Sequence, residues 1–124
     1  MKTIAVRHVD RADPAHVAEL GRAGTATVHE AIGRSGLLQP YLRPIYPGAA
    51  AAGPAITVLA QPGDNWMLHV AVELCQPGDL LGVACTTQNT DGMFGDLLAT
   101  SLAVRGVVGL VIDSGCREVA TVRK

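Results

Sequence analysis

Three short apolar runs constrain this chain more than any other feature of its sequence. They are Ala55-Ile56-Thr57-Val58-Leu59-Ala60, Leu80-Leu81-Gly82-Val83-Ala84-Cys85 and Val107-Val108-Gly109-Leu110-Val111-Ile112. Each has the length of a buried strand, is too short for a buried helix, and is bounded by Pro, Gly or Asp. Helix-length stretches separate them. One covers residues 66–74, capped by Asp64 or Asn65 after the turn Gln61-Pro62-Gly63-Asp64, and the other runs from about Gly95 to Val104, where Arg105-Gly106 stops it. Pro77-Gly78-Asp79 is the turn into the second run. This alternation predicts right-handed crossovers and a largely parallel sheet, hence an α/β fold.

Ahead of this unit the pattern is different. Residues 1–12 suggest a short strand or arm, and Asp13-Pro14 starts a helix with Asp as N-cap and Pro in the first turn. Val17 and Leu20 supply its apolar side, and Gly21 and Gly24 end it. A second helical stretch follows Thr25 and carries Val28, Ala31 and Ile32 as far as Gly33. Pro40, Pro44, Pro47, Gly48 and Gly53 mark residues 35–53 as connecting loop. Aromatic residues are 3% of the chain and hydrophobic residues 48%, so the core is expected to be built from Val, Leu, Ile and Ala. At 124 residues the chain fits a single domain. Only Val119 to Lys124 follow the last loop, too little to complete a further strand–helix unit. The expectation is one α/β domain over residues 1–124 that forms the N-terminal portion of a longer one.

Charge and composition narrow the partners. The net charge is −1, and the 10 Lys and Arg form no basic stripe, so no nucleic-acid partner is expected. No apolar run approaches the roughly 20 residues that span a bilayer, so no membrane association is expected either. The first residues contain no apolar segment long enough for a secretion signal, which leaves the cytoplasm as the expected location. Three cysteines without a C-x-x-C pair exclude a zinc knuckle or a thioredoxin-type motif and suggest reduced, mostly buried thiols. P-loop, dinucleotide-binding and nucleophile-elbow motifs are absent.

Two loops at the expected carboxyl ends of strands carry the candidate chemistry, because ligands of open α/β sheets bind there. The first leads through Thr90-Asp91-Gly92-Met93-Phe94 to Gly95-Asp96-Leu97-Leu98. Gly95 is expected to let the backbone turn tightly, so that the amides opening the helix offer a site to a carboxylate. The second is Asp113-Ser114-Gly115-Cys116-Arg117-Glu118. Arg117 offers a planar donor fork for a carboxylate or an enolate oxygen, and Glu118 offers hard oxygen donors suited to Mg²⁺ or Mn²⁺. His29 and His69 sit on helices among apolar neighbours and are expected to be packed rather than to bind a ligand.

Several stretches carry a family resemblance: Ala26-Thr27-Val28-His29-Glu30-Ala31, Pro62-Gly63-Asp64-Asn65-Trp66-Met67, the run from Asp91 to Ser101, and the order strand, Asp113-Ser114-Gly115, Cys116, Arg117. Together they resemble the 4-hydroxy-4-methyl-2-oxoglutarate / 4-carboxy-4-hydroxy-2-oxoadipate aldolases, which share a superfamily with the regulator of ribonuclease activity A. The resemblance implies a layered sheet of the swivelling β/β/α type, incomplete here at the C-terminus, and a homotrimer or homohexamer. It also implies a class II aldolase that uses Mg²⁺ or Mn²⁺ to release pyruvate, with pyruvate or oxaloacetate as the second product. Oxaloacetate decarboxylation is a side activity. By the same resemblance, Gly95, Asp96, Leu97 and Leu98 would bind the substrate carboxylate and Arg117 would stabilise the enolate oxygen. Asp96 would hold a water of the metal or help move a proton, and Glu118 would be the metal ligand.

One position departs from the family pattern. Active aldolases have Arg-Asp where this chain has Arg117-Glu118. Glutamate keeps the charge and adds a methylene, which displaces the donor atoms by about 1 Å, and such misplacement can cost ~10²-fold in rate. The ribonuclease regulator also lacks that Asp. A non-catalytic regulator or binding protein of the same fold is therefore the alternative expectation.

Overall fold

The computed structural model describes residues 3–87, 89 and 91–116. Residues 3–12 have neither helix nor strand. Helix α1 (Pro14–Ala23) begins where the Asp13 carboxylate accepts the Ala15 N–H at 2.8 Å, with Pro14 in its first turn. It passes through Gly21 and ends at Gly24, whose φ of 86° is readily available only to glycine. Gly21 is a point of close approach rather than a stop, because a Cβ there would lie 3.0 Å from the Ala52 Cβ. Helix α2 (Thr25–Ala31) follows directly. Neither helix buries a residue: Val17 is half-buried and Leu20 exposed, so the expected apolar side of α1 stays largely in water.

The organised core begins at strand β1 (Ala55–Ala60). It continues through helix α3 (Trp66–Leu74), strand β2 (Leu80–Cys85), strand β3 (Gly92–Phe94) and helix α4 (Asp96–Val104). Strands β4 (Gly109–Ile112) and β5 (Gly115–Cys116) complete the order. A parallel three-stranded sheet has the order β1-β2-β4, with Ile56 beside Leu81 and Leu81 beside Leu110. The parallel α/β expectation therefore holds. β4 starts two residues later than the apolar run, because the Val107 and Val108 amides first bond to Leu102 and Asp79 carbonyls.

Pleating sends Ile56, Val58 and Ala60 to one face of β1, and Leu81 and Val83 of β2 share that face. Leu68, Ala71 and Val72 of α3 pack there with Leu98 and Leu102 of α4. Both crossover helices thus cover the same side of the sheet, as crossovers of one hand between successive strands require. Leu68 has no exposed surface; complete burial of such a side chain stabilises the fold by about 2 kcal/mol. The opposite face is open at β1, where Ala55, Thr57 and Leu59 are exposed.

The amino-terminal ends of the strands are closed by two devices. The Leu80 amide bonds to Pro54 O at 2.8 Å, and at Gly53 a Cβ would collide with the Gly78 carbonyl. The second device is a salt bridge. Arg11 donates from Nε to Asp79 Oδ1 and from a terminal nitrogen to Oδ2, both at 2.8 Å, and the Gln76 amide donates to the same carboxylate at 2.7 Å. Asp79 is wholly buried. The Arg11 guanidinium holds its carboxyl below the usual carboxylate range, with the hydrogen bond as the main cause.

Candidate functional site

The candidate site lies at the carboxyl ends of the parallel strands, where the connecting segments converge. After β1, the turn at residues 61–65 leads into α3, with the Asp64 carboxylate accepting the Trp66 amide at 3.1 Å. The Asn65 side chain donates to Met93 O at 3.4 Å, which brings this turn to β3. After β2, the Cys85 thiol donates to Met93 Sδ at 3.5 Å. After β4, the Ser114 hydroxyl lies 2.7 Å from both Asn89 Oδ1 and Asp91 O, and the Gly115 amide donates to Asp91 O at 2.8 Å.

The two candidate loops of the sequence therefore lie side by side. β3 and β5 form a second, parallel pair, with Gly92 opposite Gly115 and Phe94 opposite Cys116. The residue after Phe94 is Gly95, and α4 opens at Asp96. Gly95 is buried but extended, with φ −150° and ψ −167°, so the tight turn expected of it is not what the backbone makes. The first intrahelical bond runs from the Ala99 amide to Gly95 O at 3.0 Å, and the N-cap residue, Gly95, has no side chain with which to cap the helix start. The amides of Leu97 and Leu98 lie in the first turn, ahead of that bond. Asp96 is half-buried in that turn, Leu97 is 81% exposed and Leu98 is 4% exposed. Leu98 thus anchors the helix start in the core while Leu97 faces solvent. Arg117 and Glu118 lie outside the described residues.

A further side chain reaches these loops. The Tyr41 hydroxyl donates to Asp113 Oδ2 at 2.9 Å, and this bond raises the phenol's pKa above its ordinary value. Nothing in the sequence marked Tyr41, because its partner is 72 positions away. His69 is exposed on α3 rather than packed, and His29 is half-buried.

Among the described residues, no three His, Cys, Asp or Glu side chains come together in a way that could hold a metal. These residues do not by themselves fit a divalent ion. A groove of about 630 Å³ lined by Asp64, Asn65, Trp66, His69, Val70 and Glu73 runs along α3. A second, of about 600 Å³, lies between α1, α2 and residues 49–52. Neither groove is lined by the opening residues of α4. No helix among the described residues is long and apolar enough to cross a membrane.

Comparisons with known proteins agree with this architecture. A protein of Halalkalibacterium halodurans, provisionally named as a 4-hydroxy-4-methyl-2-oxoglutarate aldolase, is 25% identical over 95 residues. The match takes in 77% of this chain and 45% of that protein, so the chain spans about half the length of this curated relative. The structure resembles Streptomyces coelicolor RraAS2, described as an unusual member of the RNase ES inhibitor RraA protein family. That match has a TM-score of 0.64 and 28% identity, and covers 94% of this chain and 61% of the other. It also resembles an uncharacterized protein from Pseudomonas syringae pv. tomato, with a TM-score of 0.76 over 97% of this chain and 57% of the other; at 22% identity this shows the fold alone. The Aldolase/RraA family model matches residues 25–124, and the chain belongs to this RraA-like family.

Proposed function

We propose that this chain contributes the 2-oxo acid cradle of a divalent-metal-dependent class II pyruvate aldolase. The substrate would be 4-hydroxy-4-methyl-2-oxoglutarate or 4-carboxy-4-hydroxy-2-oxoadipate, with oxaloacetate decarboxylation as a side activity. One observation supports this reading above others: the start of α4, with a glycine as its N-cap, lies at the carboxyl end of a parallel sheet, immediately after the strand that pairs with β5. The Leu97 and Leu98 amides bind the substrate carboxylate, aided by the partial positive charge of the helix start. Arg117 stabilises the negative oxygen of the pyruvate enolate released on carbon–carbon cleavage. Asp96 holds or moves the proton exchanged there. The requirement for Mg²⁺ or Mn²⁺ rests on Glu118 and on the family resemblance.

The test is pyruvate release from 4-carboxy-4-hydroxy-2-oxoadipate with and without Mg²⁺. Release that EDTA abolishes supports the reading. Release that EDTA leaves unchanged, or none even in a chain extended to the length of its relatives, overturns it.

Glu118 favours a second reading, a non-catalytic regulator of ribonuclease activity, as does the likeness to an RNase ES inhibitor family member. On that reading the wild type has no lyase activity, and Glu118→Asp creates some on an otherwise competent scaffold. Strong wild-type lyase activity ends it.

A further inference from the structure

The turn at residues 113–116 leads from the central sheet to β5 and so sets where the chain runs beside the start of α4. One flank is held by its neighbours. The Asp113 amide donates to Val83 O at 3.0 Å, and the Ser114 hydroxyl and Gly115 amide both bond to Asp91 O. The Asp113 side chain has a different partner. Its Oδ2 accepts the Tyr41 hydroxyl, which comes from the helix- and strand-free stretch between α2 and β1.

Tyr41 is 56% exposed, so packing does not dictate where its ring lies. A hydrogen bond to a charged acceptor is stronger than a neutral one and restrains an exposed side chain where dispersion contacts are few. The bond also spreads the negative charge of Asp113, which stands at the end of the sheet where an anionic substrate is expected.

We propose that Tyr41 is a positioning residue of the candidate site, holding the turn at residues 113–116 in register through Asp113, in addition to the bonds that Asn89 and Asp91 make to Ser114 and Gly115. Its link to substrate binding rests on the proposed 2-oxo acid cradle; the tether itself does not.

The experiment uses Tyr41→Phe, which keeps the ring and removes one hydroxyl, in the full chain. Amide hydrogen exchange at Asp113 and Gly115 is compared with exchange at Leu68. Loss of the tether speeds exchange at Asp113 and Gly115 by about tenfold, the equivalent of one hydrogen bond, and leaves Leu68 unchanged. Unchanged exchange at the turn overturns the proposal. Asp113→Asn should lower the ultraviolet titration midpoint of one tyrosine in the wild type and have no such effect in Tyr41→Phe. A midpoint that does not respond in the wild type overturns the bond. Pyruvate affinity, read by calorimetry with Mg²⁺ present, should fall severalfold in Tyr41→Phe. Equal affinity in both proteins overturns the positioning role. A wild type that binds no pyruvate removes the cradle, whereas the exchange measurement still decides the tether.

Discussion

Asp79 and Leu98 show how single residues divide their work between stability and the site. The Asp79 carboxylate has no contact with solvent, and Arg11 and the Gln76 amide satisfy it. Asp79→Ala strips both donors of their partner at a buried position, and should lower unfolding stability in urea by about 3 kcal/mol. The pH dependence has a definite sign. The folded state holds this carboxyl below its ordinary range, so the contribution is fully present above the unfolded value near ~4. It is lost as pH falls through the lower, folded value. Wild-type stability should therefore drop on acidification more steeply than that of Asp79→Asn, as paired acid titrations will show. Leu97 and Leu98 are adjacent yet opposite: one is 81% exposed and the other 4%. Leu98→Ala should cost about 3 kcal/mol through the cavity it leaves. Leu97→Ala should change stability by less than about 0.5 kcal/mol, which urea melts of the two variants will separate.

Among the elements, α1 and α4 differ in what holds them. α1 buries nothing, so its capping matters more than its packing. Asp13→Ala should weaken it by about 1 kcal/mol. The expected signature is faster amide exchange confined to α1, with the global melting temperature nearly unchanged. The elements also show what the sequence could reveal. β1 and β2 have the bounds of their apolar runs, because short apolar runs between turn signals leave few alternatives. α3 likewise follows from Pro62-Gly63 and its apolar spacing. β3 and β5 were not legible: they have three and two residues, and each gains its identity only by pairing with the other across the length of α4. Asp79 looked like a turn residue because its partner Arg11 is 68 positions away, and the start of β4 was blurred by the two amides that bond elsewhere. The two site segments read as loops in the sequence, but each contains one strand of the β3–β5 pair, and their adjacency depends on the Ser114 and Gly115 bonds to Asp91, which no local pattern encodes.

At the scale of the whole molecule, the sheet is covered on one face and open at β1 on the other, where Leu59 is 56% exposed. An apolar side chain on an open face beside an edge strand favours association. With the trimer or hexamer implied by the family resemblance, the chain is expected to sediment as an oligomer. Leu59→Lys should shift it toward the monomer and leave the far-ultraviolet spectrum unchanged, whereas a monomeric wild type in sedimentation velocity contradicts this. The candidate site lies at the carboxyl ends of the strands and the Arg11–Asp79 salt bridge at their amino-terminal ends. The proposed function requires the first-turn amides of α4 to receive the carboxylate of a 2-oxo acid. It is tested most directly by titrating the ¹⁵N-labelled wild-type chain with pyruvate in the presence of Mg²⁺ and following backbone amide resonances. Saturable shifts centred on Leu97 and Leu98, with smaller ones at the 113–116 turn, are the expected outcome. Saturable shifts centred elsewhere, or no shift at Leu97 and Leu98 at saturating pyruvate, would contradict it.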